Sequence, residues 1–146
     1  MIIREMEMDD IERVAEIEAQ NFAKPWTAVG LFTYFMREDA KFFVAVEDEE
    51  VVGYCGVLIS IDEGDITNVA VEKSRQGKGI GTELVQAMIH NMEEAGVTTL
   101  HLEVRASNEN ARKLYERAGF LQDHIRKEYY SEPTEDGIAM SRRHSH

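Results

Sequence analysis

The spacing of apolar and polar positions changes repeatedly along the chain, and each change marks an element. Residues 2–6 read as a short first strand. Asp9 or Asp10 is placed to cap a helix in which Ile11, Val14, Ala15, Ile17 and Phe22 share one face, with Glu12, Glu16 and Glu18 on the other. Lys24-Pro25-Trp26-Thr27 interrupts it, because proline cannot continue a helix interior. A second helix is expected over about 27–37, carrying Leu31, Phe32, Tyr34, Phe35 and Met36. Trp26 and this aromatic segment read mainly as core, with one wall of a substrate cleft as the alternative. Residues 41–47 and 51–59 are β-rich runs joined by a short acidic turn, which predicts an antiparallel hairpin.

Residues 65–71 give a further strand, and Ile80, Leu84, Val85, Met88, Ile89 and Met92 form a helical stripe that Gly96 ends. The strand at 98–105 follows. Ser107 or Asn108 then caps a last helix with Ala111, Leu114, Tyr115 and Ala118 on one face, stopped by Gly119. Two final strands, 120–130 and 137–141, flank a polar loop containing Pro133. The order β-α-α-β-β-β-α-β-α-β-β predicts an α/β fold in which one mixed sheet has helices on both faces. A right-handed crossover should make the strands at 65–71 and 98–105 parallel or splayed neighbours. Residues 1–146 read as a single domain.

Charge narrows the class. With 28 acidic against 16 basic residues the net charge is −12, which argues against general nucleic-acid binding. Such a surface keeps a protein soluble and could also suit a basic peptide. Cys55, the single cysteine, rules out an internal disulfide framework and fits a reducing compartment. It lies within a strand and is expected to be a small buried hydrophobe, not a nucleophile. Met1 to Met6 lead into acidic residues without an apolar signal core, and no apolar run approaches the ~18 residues of a membrane span. The expected setting is the cytoplasm, as a monomer or weak dimer. The histidines lack paired metal spacing, so no metal is expected, and His144-Ser145-His146 reads as an exposed tail.

The candidate chemistry starts at Arg75-Gln76-Gly77-Lys78-Gly79-Ile80-Gly81-Thr82, where alternate glycines run into a helix. Backbone N–H groups there can converge on a phosphate, helped by the orphan donors and positive dipole end of the helix. Lys73, Arg75 and Lys78 would add positive charge. The spacing fits neither a P-loop, because Gly79 follows Lys78, nor a dinucleotide fingerprint, because residues 72–75 separate strand from loop. What remains is Gln76-x-x-Gly79-x-Gly81 after Asn68-Val69-Ala70-Val71. That pattern resembles the acetyl-coenzyme A loop of the GNAT N-acetyltransferase superfamily. Leu102-Glu103-Val104-Arg105-Ala106-Ser107-Asn108, Ala111 to Tyr115, Ala118-Gly119-Phe120, Ile125-Arg126-x-x-Tyr129-Tyr130 and Asp136-x-x-Ala139-Met140 resemble its ribosomal-protein alanine N-acetyltransferase (RimI) branch.

The resemblance implies a mostly antiparallel sheet with a parallel splayed pair, and acetyl-CoA as cosubstrate. Val69, Ala70 and Val71 would line the pantetheine arm, one N–H serving as oxyanion donor, and Gln76, Gly77, Lys78, Gly79, Ile80, Gly81 and Thr82 would hold the pyrophosphate. Acyl transfer also needs a base for the amine and a proton for the departing thiolate. Strand alternation puts His101, Glu103 and Arg105 opposite Leu100, Leu102 and Val104. The resemblance makes Glu103 the base, acting through a water; a salt bridge to Arg105 is the alternative use. It makes Tyr115 the acid, where packing alone is the alternative, and gives Asn108 a contact with pantetheine beyond a plain helix cap. The implied reaction is acetylation of a protein N-terminal α-amine, the N-terminal alanine of a small-subunit ribosomal protein; direct attack without an acetyl-enzyme is expected because Cys55, the only thiol, reads as buried. A lysine side chain or small amine as acceptor, and a CoA-binding sensor domain, are the rival readings; segments 22–37 and 126–136 hold the difference.

Overall fold

The computed structural model describes residues 1–144. The chain runs β1 (Ile2–Glu5), α1 (Ile11–Asn21), α2 (Ala28–Phe35), β2 (Ala40–Glu47), β3 (Glu50–Ser60), β4 (Glu63–Val71), α3 (Ile80–Glu94), β5 (Thr99–Arg105), α4 (Glu109–Arg117), β6 (Leu121–Tyr130) and β7 (Glu135–Arg143). Short 3₁₀ turns precede α1 and follow β4. The seven strands form one sheet in the order β1-β2-β3-β4-β5-β7-β6. All neighbours are antiparallel except β4 and β5. The expected mixed, mostly antiparallel sheet is present.

Each sheet face has its own core. Ile80, Leu84, Val85, Met88 and Met92 of α3 pack with Leu100, Leu102 and Val104 of β5 and with Tyr115 of α4. On the opposite face Ile11, Val14 and Ile17 of α1 and Leu31 of α2 pack with Phe42, Val44, Tyr54 and Ala70. The local signals hold where they are chemical. Thr27 starts α2 by accepting from the Gly30 N–H (3.1 Å), and Gly96 leaves α3 with φ +89°.

Several expectations on the first half of the chain need correction. Glu18 is 1% exposed and faces the core, so it does not belong to the polar face of α1. Phe22 lies beyond the helix and is exposed. Asp10 stands at the N-cap position of α1 but makes no side-chain cap bond; its carboxylate accepts from the Glu7 N–H (2.7 Å) and pairs with Arg4 (2.8 Å). In α2 only Leu31 is fully buried, while Phe32 and Met36 are exposed. At the other end His144 is partly buried, with its Nδ1 3.2 Å from Glu93, and is no exposed tail; Ser145 and His146 lie outside the described residues.

The feature that shapes the site is a divergence. β4 pairs with β5 only at Glu63↔Thr99, Gly64↔Leu100 and Asp65↔His101. Past that point β4 stays with β3 to Val71 while β5 stays with β7 to Arg105, leaving a V-shaped opening. The β3–β4 register also slips, from Val57↔Ile66 to Cys55↔Val69, so Thr67 and Asn68 together oppose Gly56. Such a bulge bends a strand and re-aims its side chains. Gly56 has to lack a side chain there, since a Cβ would sit 2.6 Å from the Phe42 ring and 2.7 Å from Thr67 Oγ1. Gly56→Ala is expected to destabilise the fold by about 1–3 kcal/mol through overpacking, read as a fall in Tm of several degrees. An unchanged Tm would show that Phe42 and Thr67 move aside freely.

Among the described residues no helix is long and apolar enough to cross a membrane.

Candidate active site

Two grooves open on the divergence of β4 and β5. The first, about 480 Å³, lies between the end of β4, the loop at 75–79, the start of α3 and one face of α4. The second, about 700 Å³, lies between segment 21–24, residues 66–69 of β4, residues 103–105 of β5, the start of α4 and residues 129–135. Asn21, Val69, Ala111 and Tyr115 line both. The grooves therefore communicate at the wide end of the V.

The first groove has the chemistry of an anion cradle. Gly77 and Gly79 adopt φ +81° and +84°, a region that side chains disfavour, and nothing crowds the position of a Cβ at either. Glycine serves backbone shape there. Gly81 serves close approach, because a Cβ would lie 3.2 Å from Leu114. The first intrahelical bond of α3 runs from the Glu83 N–H to the Gly79 carbonyl (3.1 Å). The N–H groups of Ile80, Gly81 and Thr82 are thus first-turn donors with no intrahelical acceptor, at the positive end of the helix.

Of the residues expected at this groove, Val69, Ala70, Val71, Gln76, Gly77, Gly79, Ile80, Gly81 and Thr82 line it, whereas Lys78 does not. Arg75 lines it but spends its charge on Glu47 (2.8 Å) and Glu72 (3.6 Å). Gln76 acts as a clasp, its amide donating to the Val71 carbonyl (3.1 Å) and to Asn21 Oδ1 (2.9 Å). Asn21 Nδ2 also donates to the Val71 carbonyl (3.0 Å), so that oxygen is taken up within the protein. Asn108 lines the second groove, not the first, and its side-chain oxygen caps α4 by accepting from the Ala111 N–H (3.1 Å). The unanticipated cations are Lys113 and Arg117, which line the groove from α4 with Asn110 and Leu114. Their spacing of 110, 113, 114 and 117 is a helical stripe and was visible in the sequence.

Glu103 and Tyr115 come from opposite sides of the sheet to the same opening. Glu103 lines the second groove with its side chain 29% exposed. Its carboxylate pairs with Arg126 (3.4 Å) and not with Arg105. Arg105 instead donates to the carbonyls of Pro133 and Ser131 (2.9 Å each), pairs with Glu135 (3.1 Å) and stacks on the Tyr130 ring (4.6 Å). It organises the β6–β7 loop. Arg126 packs on Tyr129 at 5.3 Å. Burial around Tyr130, with nearby acidic groups, pushes its hydroxyl up to about 12, so it stays neutral and able to donate.

Tyr115 is 8% exposed and packs edge-on to Phe120 at 5.7 Å. Burial holds its hydroxyl above the ordinary tyrosine range. It is protonated at any working pH.

Cys55 is fully buried, and desolvation pushes its thiol up to about 12. A thiol in that state is not a nucleophile. Native protein is expected to resist N-ethylmaleimide at neutral pH and Cys55→Ala to keep full turnover; rapid labelling with loss of activity would restore an acetyl-cysteine route. Among the described residues no cluster of His, Cys, Asp or Glu could hold a metal ion.

The profile of the Acetyltransferase (GNAT) family matches residues 10–120. This chain belongs to that acetyltransferase family. Among GNAT relatives, the ribosomal protein bS18-alanine N-acetyltransferase of Haemophilus influenzae is 36% identical over 143 residues, covering 96% of this chain and 97% of the relative. Among solved structures, the ribosomal-protein-S18-alanine N-acetyltransferase from Escherichia coli superposes with a TM-score of 0.91 at 33% identity, over 99% of this chain and 94% of that one. Ard1 from Thermoplasma volcanium superposes with a TM-score of 0.89 at 26% identity, over 99% and 98%. The divergent β4–β5 pair and the glycine loop thus sit in an acetyltransferase fold shared over nearly the whole chain.

Proposed function

We propose that this GNAT enzyme transfers acetyl from acetyl-CoA to the N-terminal α-amino group of a protein, with a small-subunit ribosomal protein as acceptor. The observation that carries the reading is the meeting of the two grooves at Val69 and Tyr115, with Glu103 lining the second. The acceptor named for the Haemophilus and Escherichia relatives supports the choice.

In this reading the coenzyme lies in the first groove. Backbone N–H groups of the loop and first turn of α3 take the pyrophosphate, Lys113 and Arg117 add charge, and the edge of β4 at Val69 to Val71 carries the pantetheine arm. The second groove receives the acceptor. An α-ammonium group has a reference pKa of ~8, so a carboxylate acting through a water suffices to take its proton near neutrality. The free amine attacks the thioester carbonyl, and a β4 N–H stabilises the oxyanion. The carbon–sulfur bond then breaks, Tyr115 protonates the thiolate, and the attacking nitrogen sheds its second proton through water, which returns the tyrosine to its neutral form. Base and acid stand on different walls of the opening, so direct transfer needs no covalent enzyme intermediate.

The test is incubation with acetyl-CoA and peptides that carry either a free α-amine or only a lysine amine, together with small amines, read by mass. Acetylation of the α-amine is expected. Modification confined to lysine or to small amines would overturn the assignment.

A further inference from the structure

Glu18 is the most deeply buried acid of the described residues, and nothing above uses it. No lysine or arginine pairs with it among the described residues. Its neighbours are neutral donors: Oε1 accepts from the Tyr54 hydroxyl and from Asn68 Nδ2 (2.9 Å), and Oε2 accepts from the Trp26 N–H (3.0 Å). Burying a carboxylate this way is costly, and an amide of the same shape would avoid the charge. The donors converge from parts that border the second groove. Trp26 follows the wall formed by Phe22 to Lys24, and Asn68 is one of the two residues of the β4 bulge, itself part of the groove lining.

A carboxylate can only accept, whereas an amide can present either its oxygen or its NH2. Facing Glu18, Asn68 has to turn its NH2 inward, where it also donates to the Tyr54 hydroxyl (3.3 Å). Its carbonyl oxygen is then left for the groove. Asn68 lies on the β4 arm of the V and Glu103 on the β5 arm, both lining the second groove. An amine entering between them meets an acceptor on each side.

We propose that Glu18 is a positioning residue of the acceptor groove, fixing the Asn68 amide so that its Oδ1 accepts an N–H of the incoming amine. The proposal rests on the second groove being the acceptor site. Its kinetics are therefore run on whichever amine the wild-type enzyme acetylates, so failure of the α-amine assignment shows in the wild type alone. Glu18→Gln lets residue 18 donate and frees the Asn68 amide to turn over. Glu18→Gln and Asn68→Ala are each expected to raise KM for the amine about tenfold, the order that one hydrogen bond to a charged group supplies. Turnover at saturating amine and the Kd for acetyl-CoA should be unchanged. The double variant should be no worse than Asn68→Ala, because both changes remove the same contact. Tyr54→Phe deletes a donor to Glu18 but leaves the carboxylate facing Asn68. It should lower Tm and keep the wild-type KM, which separates orientation from packing. A wild-type KM in Glu18→Gln, an equal rise in Tyr54→Phe, or additivity in the double variant would overturn the proposal. If Glu18→Gln does not fold, Asn68→Ala decides alone, and a wild-type KM there overturns it.

Discussion

Replacing Glu103 by Gln is expected to lower kcat by about 10²–10³-fold, within the range of about 10²–10⁴ that a positioned general base contributes, while the Kd for acetyl-CoA stays unchanged. The split follows from location. Glu103 lines only the second groove, and the first groove, the proposed coenzyme site, is built from β4, the glycine loop, α3 and α4. Gln keeps the shape and can still face Arg126, whose Nε lies 3.4 Å from the Glu103 carboxylate, but it cannot take a proton. The loss should shrink as the pH rises through the α-amine range near ~8, because the amine then arrives already deprotonated. An undiminished kcat at neutral pH would remove Glu103 from the mechanism, and a matching loss of coenzyme affinity would place it in the wrong groove.

Tyr115→Phe is expected to slow turnover by about 10²-fold, the lower end of the acid–base range, without loss of stability. The ring carries the packing, edge-on to Phe120 at 5.7 Å and within the core that α3 builds, and Phe preserves it. Only the hydroxyl is lost. Because burial raises the Tyr115 pKa, the protonated form persists above the ordinary value of ~10. The sign is definite: rising pH should not remove the acid anywhere in the enzyme's working range, so the wild-type profile should show an ascending limb and no descending limb below about pH 10 from this group. If Phe supports full turnover, Tyr115 is a core residue and the thiolate is protonated by other means.

The sequence made the fold legible wherever the signal was local. Period changes located the strands and helices, glycine spacing located the loop at 75–82, and alternation put Glu103 opposite Leu102 and Val104. The failures came from two sources. The charge of Glu18 points to the polar face of α1, yet 11, 14 and 18 are spaced as one helical stripe and Glu18 is buried with Ile11 and Val14. Residue type outweighed geometry, and the geometry was right. The alternative use of Glu103, a salt bridge to Arg105, is excluded for a different reason, since its partner is Arg126. Arg105 is near in sequence, but β7 lies between β5 and β6, with Arg105 and Arg126 both in register with Gly137. Strand order of that kind is set by long-range pairing and leaves no mark in local pattern. The same limit hid the position of Tyr115 in the lining of both grooves, since the splay of β4 from β5 exists only in the assembled sheet.

The claim that coenzyme and acceptor occupy joined grooves at the same time is tested most directly with bisubstrate conjugates, in which CoA is joined by an acetyl bridge to a peptide amine. The conjugate linked through the N-terminal α-amine should bind at least about 100-fold tighter than CoA, as linking two occupied sites allows, and tighter than one linked through a lysine side chain. An α-linked conjugate that binds no better than CoA, or a lysine-linked one that binds better, would contradict it.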